Sequence, residues 1–376
     1  MSHPEKQMET GWKTGTLGNN RSQPPVSPSM GKDNIRGVPH GSAEVPLSIL
    51  ELATVSEGSS PSESLAEATE LARSAEEWGY HRIWVAEHHG MPGIASSSPA
   101  VVIAHLAAAT RSIRIGSGGV MLPNHAPLVI AEQFGTLHAL HPERIDLGLG
   151  RAPGTDMATA NALRRSAEVD PDDFPRALAE LTGFLDGSFP AGHPYAKIQA
   201  VPASSTRPPI WLLGSSGFSA QLAGILGLPF AFAHHFSAAN TEPALDLYRS
   251  TFQPSEVLDE PYSMIGVAAI AADTDEEALR QAMPGALSFL RLRSGRPGRF
   301  PTPEAAQEYQ YSPLEAEFVR DRLSTTVYGD PETVRNGLEE LRKRTGADEL
   351  MITTMVHGAA ERRRSYELIA KAYGMA

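Results

Sequence analysis

From residue 45 onward, short apolar runs alternate with longer helical ones, and the alternation repeats eight times. "VPLSILELA" (45–53), "HRIWVAE" (81–87), "SIRIGSGGVML" (112–122) and "RIDLGLG" (144–150) read as strands. So do "PIWLLG" (209–214), "PFAFAHHF" (229–236), "SMIGVAAIAA" (263–272) and "ELMITTMV" (349–356). Continuous apolar runs of this kind belong to strands covered on both faces, as in a parallel sheet. Helical stretches stand between them at Ser62–Trp78, Pro99–Ala109, Pro127–Leu140, Met157–Ala167, Phe174–Leu185, Phe218–Leu226, Glu242–Phe252, Glu276–Leu292, Pro331–Thr345 and Ala359–Ala372. Pro127 suits a first-turn position and Asp330 is placed to cap its helix. Eight βα units predict an α/β fold, a (β/α)8 TIM barrel over residues 45–376 with insertions after strands 4 and 7. A doubly wound open sheet is the alternative.

Residues 1–44 are of another kind. "TGTLGNNRSQPPVSPSMGKDNIRGVPHGS" is polar, rich in Gly, Pro and Ser, and without hydrophobic period, so it reads as a disordered tail. It lacks the apolar core of a secretory signal, and no run is long enough for a membrane span, so a cytoplasmic protein is expected. The absence of cysteine excludes disulfides, thiolate metal sites and cysteine nucleophiles. A formal net charge of −12, with no basic block beyond Arg362-Arg363-Arg364, speaks against nucleic-acid binding.

In a barrel of this type the chemistry sits at the carboxyl ends of the strands. Those ends carry Ala53-Thr54, Glu87-His88-His89, Gly118-Gly119 followed by Asn124-His125, Gly150-Arg151, Gly214-Ser215-Ser216-Gly217 and His234-His235. The apolar run of the second strand thus serves to place Glu87, His88 and His89 in the mouth. Adjacent strand residues face opposite sides, so only one of His88 and His89 faces the axis if the strand continues through them. The first strand has no histidine pair of the sort zinc barrels use, and no metal is expected. "GSSGFSAQLAG" (214–224) resembles an anion cradle: a strand ends, Ser215, Ser216 and Ser219 offer hydroxyls, and a helix presents its positive end. A plain Ser/Gly helix cap would look the same. "GLGRAPG" (148–154) imitates a dinucleotide fingerprint, but its spacing and its place in the strand order are wrong for one. There, Gly150 is read as clearing room for a flat ligand and Arg151 as a cation for a phosphate. The glycines of "IGSGG" read as a bulge at a strand end, set against a planar ring.

This inventory resembles the bacterial-luciferase-like flavin monooxygenase family, over roughly residues 45–376. "AEHHG" is similar to the family's Glu-His-His at the end of strand 2, "GGVMLPNHAPLVIAEQFGTLHALHPERIDLGLGRAPGTD" (118–156) to its strand 3–strand 4 block, and "LGSSGFSA" to its phosphate loop. The likeness is greatest to the small-substrate oxidoreductase branch. It implies reduced FMN delivered by a separate reductase, reaction with O2 to a flavin hydroperoxide, and oxygenation of a small organic substrate. It also implies His88 as a base near the flavin with His89 its neighbour, a non-proline cis peptide at Gly118-Gly119, and FMN phosphate held by Arg151, Ser215, Ser216 and Ser219. Ala53, Glu87, Gly150 and Gly217 complete the expected cofactor site, and Asn124 and His235 the expected substrate pocket. Luciferases carry a cysteine where this chain has Gly150, which puts light emission in doubt but not flavin binding. Specificity is expected in the insertion at about 293–325, and a homodimer through barrel helices such as Ala100–Ala109. Two alternatives share the barrel: a deazaflavin-dependent hydride-transfer enzyme and a non-catalytic flavin-binding protein.

Overall fold

A computed structural model describes residues 35–152, 154–163, 173–202 and 207–376. In chain order the elements are β1 (Leu47–Glu51), α1 (Pro61–Glu77), β2 (Arg82–Val85), α2 (Pro99–Ala109), β3 (Arg114–Met121), α3 (Pro127–Leu140) and β4 (Ile145–Gly150). There follow α4 (Met157–Leu163), α5 (Phe174–Asp186), β5 (Ile210–Gly214), α6 (Gly217–Leu226), β6 (Phe230–Phe232), α7 (Thr241–Thr251) and β7 (Ser263–Ala271). The last are α8 (Asp275–Arg293), α9 (Pro303–Glu308), α10 (Pro313–Ser324), β8 (Val327–Gly329), α11 (Pro331–Thr345), β9 (Glu349–Thr353) and α12 (Ala359–Ala372).

Strands β1 to β7 pair in sequence order, all parallel, and β9 closes the ring between β7 and β1. The result is the expected (β/α)8 barrel. Its strands are buried almost throughout, which is why they read as apolar runs rather than alternating ones. The long connections fall after β4, which holds α4 and α5, and after β7. The second contains two helices, α9 and α10, and the strand β8, none of which the sequence reading assigned. β8 is three residues long and pairs only with the far end of β7, beyond the barrel proper, so its pattern is too short to read. α10 did announce itself: Ser312 and Glu315 form a capping box around Pro313.

Of the tail expected at 1–44, residues 1–34 lie outside the described residues. Residues 35–44 are mostly exposed and touch the barrel at a few points. Ile35 is buried, its carbonyl accepts from Arg82 Nη2 at 2.8 Å, and Ser42 N–H donates to the Tyr373 carbonyl. One apolar anchor in a polar stretch gives no period to read. The part of the predicted helix Met157–Ala167 beyond Leu163 likewise lies outside the described residues.

The amino-terminal end of the barrel interior is charged, yet closed to solvent. Arg82 on β2 reaches Asp146 on β4 at 2.8 Å and Glu349 on β9 at 2.8 Å, and Arg114 on β3 grips the other oxygen of Asp146. Trp84 Nε1 donates to Asp146, Tyr262 and Ser48 donate to Glu349, and Arg82 lies over the Trp211 ring. Burial raises the Asp146 carboxyl, but Arg114 and Arg82 outweigh it and hold the group at about 2. Breaking one partner strands charge in a medium that cannot solvate it. Asp146→Asn should therefore lower the free energy of unfolding at pH 7 by about 3 kcal/mol in urea titrations. The wild-type advantage is full above the ordinary carboxyl value of 3.8 and shrinks as pH falls toward 2, because the folded-state value is the depressed one.

Candidate active site

At the carboxyl ends of the strands lies a cavity of about 460 Å³ to which all eight barrel strands contribute, roofed by α8 and α10. Its wall is mostly apolar, with Leu50, Trp84, Met121, Phe232, Met264 and Met351 from the strands and Phe289 from the roof. The pair Gly118-Gly119 is joined by a cis peptide, and the β3–β4 register shifts across it. Packing demands glycine at 119, where the obstacle is backbone, and crowds a side chain at 118. A Cβ on Gly118 would stand 2.8 Å from Leu50 Cδ1, and one on Gly119 would stand 2.8 Å from the Gly148 carbonyl oxygen. Gly150 lines the cavity, but a Cβ there would meet Met121 Sδ at 2.6 Å, so its small size makes room for a methionine.

The strand carrying "RIWV" ends at Val85, and the three titratable groups that follow separate at once. Glu87 is fully buried and accepts four kinds of donor. These are His89 Nε2 at 2.8 Å, His125 Nε2 at 2.9 Å, the Met121 backbone N–H at 2.9 Å and Asn124 Nδ2 at 3.2 Å. Burial pushes its carboxyl up, but the hydrogen bonds from His125, His89 and Met121 prevail and hold it below the ordinary range. His88 turns the other way and lines the cavity, with Nδ1 3.3 Å from the Gly154 carbonyl. A carbonyl only accepts, so Nδ1 carries the proton and Nε2 keeps its lone pair. Burial lowers the His88 pKa and keeps the ring neutral.

Arg151 and the start of α6 form a second corner. Arg151 Cζ lies 4.4 Å from the centre of the Phe218 ring, in the first turn of α6, and Gly214, Ser215, Ser216 and Ser219 line the same cavity. The N-cap Ser216 is extended and its side chain makes no capping bond, so the first-turn N–H groups are not served by it. A third corner gathers at β6. His235 donates from Nδ1 to the Gly266 carbonyl at 3.0 Å, and burial takes its pKa to about 4. Arg322 of α10 donates from Nη1 to the His235 carbonyl, and its Cζ lies 4.5 Å from the Phe289 ring centre.

Of the residues singled out from sequence, His88, Gly118, Gly150, Arg151, Ser215, Ser216, Ser219 and His235 share the cavity wall. Ala53, Glu87, His89, Gly119, Asn124 and Gly217 do not line it. Ala53 is buried with φ 50°, its N–H held by Glu51. Glu87, His89 and Asn124 bond to one another behind the wall, and Gly217 faces Leu247. His234, beside His235, is turned to Thr241 Oγ1 at 2.8 Å. The sequence reading placed His125 at the end of the third strand without giving it a role, and it missed Arg322 and Phe289, which belong to the roof. Among the described residues no group of three or more His, Asp or Glu side chains is arranged to hold a metal ion, and no helix is long and apolar enough to cross a membrane.

The family model described as luciferase-like monooxygenase matches residues 45–349. The chain belongs to the luciferase-like monooxygenase family. Family members include an Escherichia coli protein of that name, 48% identical over 86% of this chain and 96% of the relative. An N-acetyl-S-alkylcysteine monooxygenase of Bacillus subtilis is 36% identical over 87% of this chain and 97% of the relative. The crystal structure of apo-MsnO8 superposes with a TM-score of 0.81 at 39% identity, covering 89% of this chain and 99% of that one. Two more distant structures share the barrel. One is the oxygenating constituent of 3,6-diketocamphane monooxygenase from Pseudomonas putida in complex with FMN (TM-score 0.65, 20% identity, 88% of this chain and 97% of that one). The other is an F420-dependent secondary alcohol dehydrogenase with an F420–acetone adduct (0.64, 16%, 88% and 99%).

The division of labour between the neighbouring groups is measurable as stability. Glu87→Ala leaves several buried donors without an acceptor and should cost roughly 3 kcal/mol in chemical denaturation. His88→Ala, which loses one long hydrogen bond to the Gly154 carbonyl and otherwise lines the cavity, should cost about 1 kcal/mol or less. Equal losses would place His88 in the structural network.

Proposed function

We propose that this protein is a flavin-dependent monooxygenase that receives reduced FMN from a separate reductase and uses O2 to oxygenate a small organic substrate. The observation that carries this reading is a single cavity joining an anion-binding corner to a neutral histidine across an apolar floor. The residues present fit the cofactor. A dianionic phosphate needs donors and positive charge, and Arg151, the first-turn N–H groups of α6 and the Ser219 hydroxyl meet in one place. A planar ring system needs a smooth apolar bed, and Gly118, Leu50 and Trp84 lie side by side there.

Reduced flavin, when bound, supplies the electrons that activate O2. The protein's share is binding, orientation, water exclusion and proton handling. Met264, Met351, Phe289 and Phe300 keep the interior dry. His88, with Nδ1 anchored on the Gly154 carbonyl, offers Nε2 as a proton acceptor at a fixed place. Gly154 is itself held at φ 65°, where glycine is at home, and a Cβ there would lie 2.9 Å from the Glu87 carbonyl oxygen.

Fluorescence titration tests the binding half. Arg151→Ala should weaken FMN about tenfold or more and leave phosphate-free riboflavin unaffected. Equal effects on both flavins would remove Arg151 from the phosphate site. The catalytic half shows in the pH profile under reduced FMN and O2. Because burial lowers the His88 pKa, its acid limb should fall below the ordinary histidine value of about 6.5. His88→Gln should abolish that limb and slow product formation. Turnover without O2 on a reduced deazaflavin would replace the oxygenase reading with hydride transfer.

A further inference from the structure

We infer that the substrate of this cavity carries a carboxylate, and that Arg322 is the group that receives it. The inference rests on the oxygenase reading for the word substrate, but its evidence is the charge distribution around the cavity. Among the described residues lining that space there are two arginines, Arg151 and Arg322, and no aspartate or glutamate. The chain as a whole has 44 acidic residues against 32 basic ones, so a wall with no acid among its described residues runs against its composition. Arg151 stands at the α6 corner suited to a phosphate. Arg322 stands at another, tied to β6 and α8.

The other buried arginines show what such a group ordinarily has. Arg82 is paired with Asp146 and Glu349, Arg114 with Asp146, and Arg362 with Glu51. Arg144, which has no carboxylate, uses all three nitrogens on the Ile113, Ala107 and Thr110 carbonyls and the Thr110 hydroxyl. Arg322 does neither. Nη1 is occupied by the His235 carbonyl, one face rests on Phe289, and Nε and Nη2 have no partner among the described residues. The guanidinium is nevertheless fixed, because Phe289 stacks on Phe318 at 5.8 Å and meets Phe236 edge-on at 5.8 Å. A half-buried cation, rigidly held with its donor edge unused, is a site for a planar two-oxygen acceptor. Burial also depresses the Arg322 pKa with no anion opposing it, as the absence of a counter-charge requires. The methionine and phenylalanine wall beside it accepts the apolar remainder of the molecule.

The test compares acids with their uncharged isosteres. With FMN present, calorimetry is run on 3-phenylpropionate and octanoate against their primary amides, using the wild type, Arg322→Gln and Arg322→Lys. Each acid should bind the wild type at least about tenfold more tightly than its amide. Arg322→Gln should remove that preference, and Arg322→Lys should keep part of it. FMN affinity, read by fluorescence in the same samples, should be the same in all three proteins and certifies the fold. Equal binding of acid and amide, neither binding at all, or a preference that survives Arg322→Gln would overturn the inference. Arg151→Ala, titrated in parallel at saturating FMN, is the control: a preference abolished by it and untouched by Arg322→Gln would also overturn the inference, assigning the acid to the other corner. Loss of FMN binding with the acid preference intact would instead sink the flavin reading alone.

Discussion

The mouth of this barrel depends on one buried carboxylate. Glu87 sits just past the end of β2 and collects donors from its own loop, through His89, and from the turn after β3, through Met121, Asn124 and His125. A lone carboxylate at that depth would be driven toward protonation; surrounded by donors it stays ionised. The arrangement also settles which histidine faces where. With His89 bound to Glu87, the loop can present only His88 to the cavity, and its ring is oriented from behind by the Gly154 carbonyl.

Charge is partitioned along the barrel axis. At the amino end, acids and arginines neutralise one another in a sealed network that links β2, β3, β4 and β9. At the carboxyl end no acid is among the described residues of the cavity wall, and Arg151 and Arg322 line it. Conserving stability at one end and chemistry at the other is the usual economy of this fold. The roof formed by α8 and α10 completes the second end, and α10 brings the arginine that gives the pocket its polarity.

The barrel was legible because parallel strands buried on both faces leave unbroken apolar runs, and because each run is followed by a helix of recognisable period. The wall residues His88, Arg151 and the serine turn were legible for a related reason: in this fold, polar residues at strand ends have few other places to go. The sequence could not say that Glu87, His89 and Asn124 would turn inward to one another, since hydrogen bonds between loops leave no period. Nor could it show that Gly150 yields its space to Met121, which is a contact between strands. Arg322 escaped because its helix lies in a stretch of glycine, proline and charge, where only the capping box at Ser312 and Glu315 marks a beginning. Ile35 escaped as a single anchor in polar surroundings.

The central claim is that one cavity holds a phosphorylated flavin, with its phosphate against α6 and its ring beside His88. A crystal structure of the protein with FMN tests it most directly. The account predicts phosphate oxygens within hydrogen-bonding distance of Arg151 and the first turn of α6, and the isoalloxazine over Gly118 with His88 Nε2 facing it. Density for the phosphate at the Arg322 corner, or for the ring outside the strand ends, would contradict it.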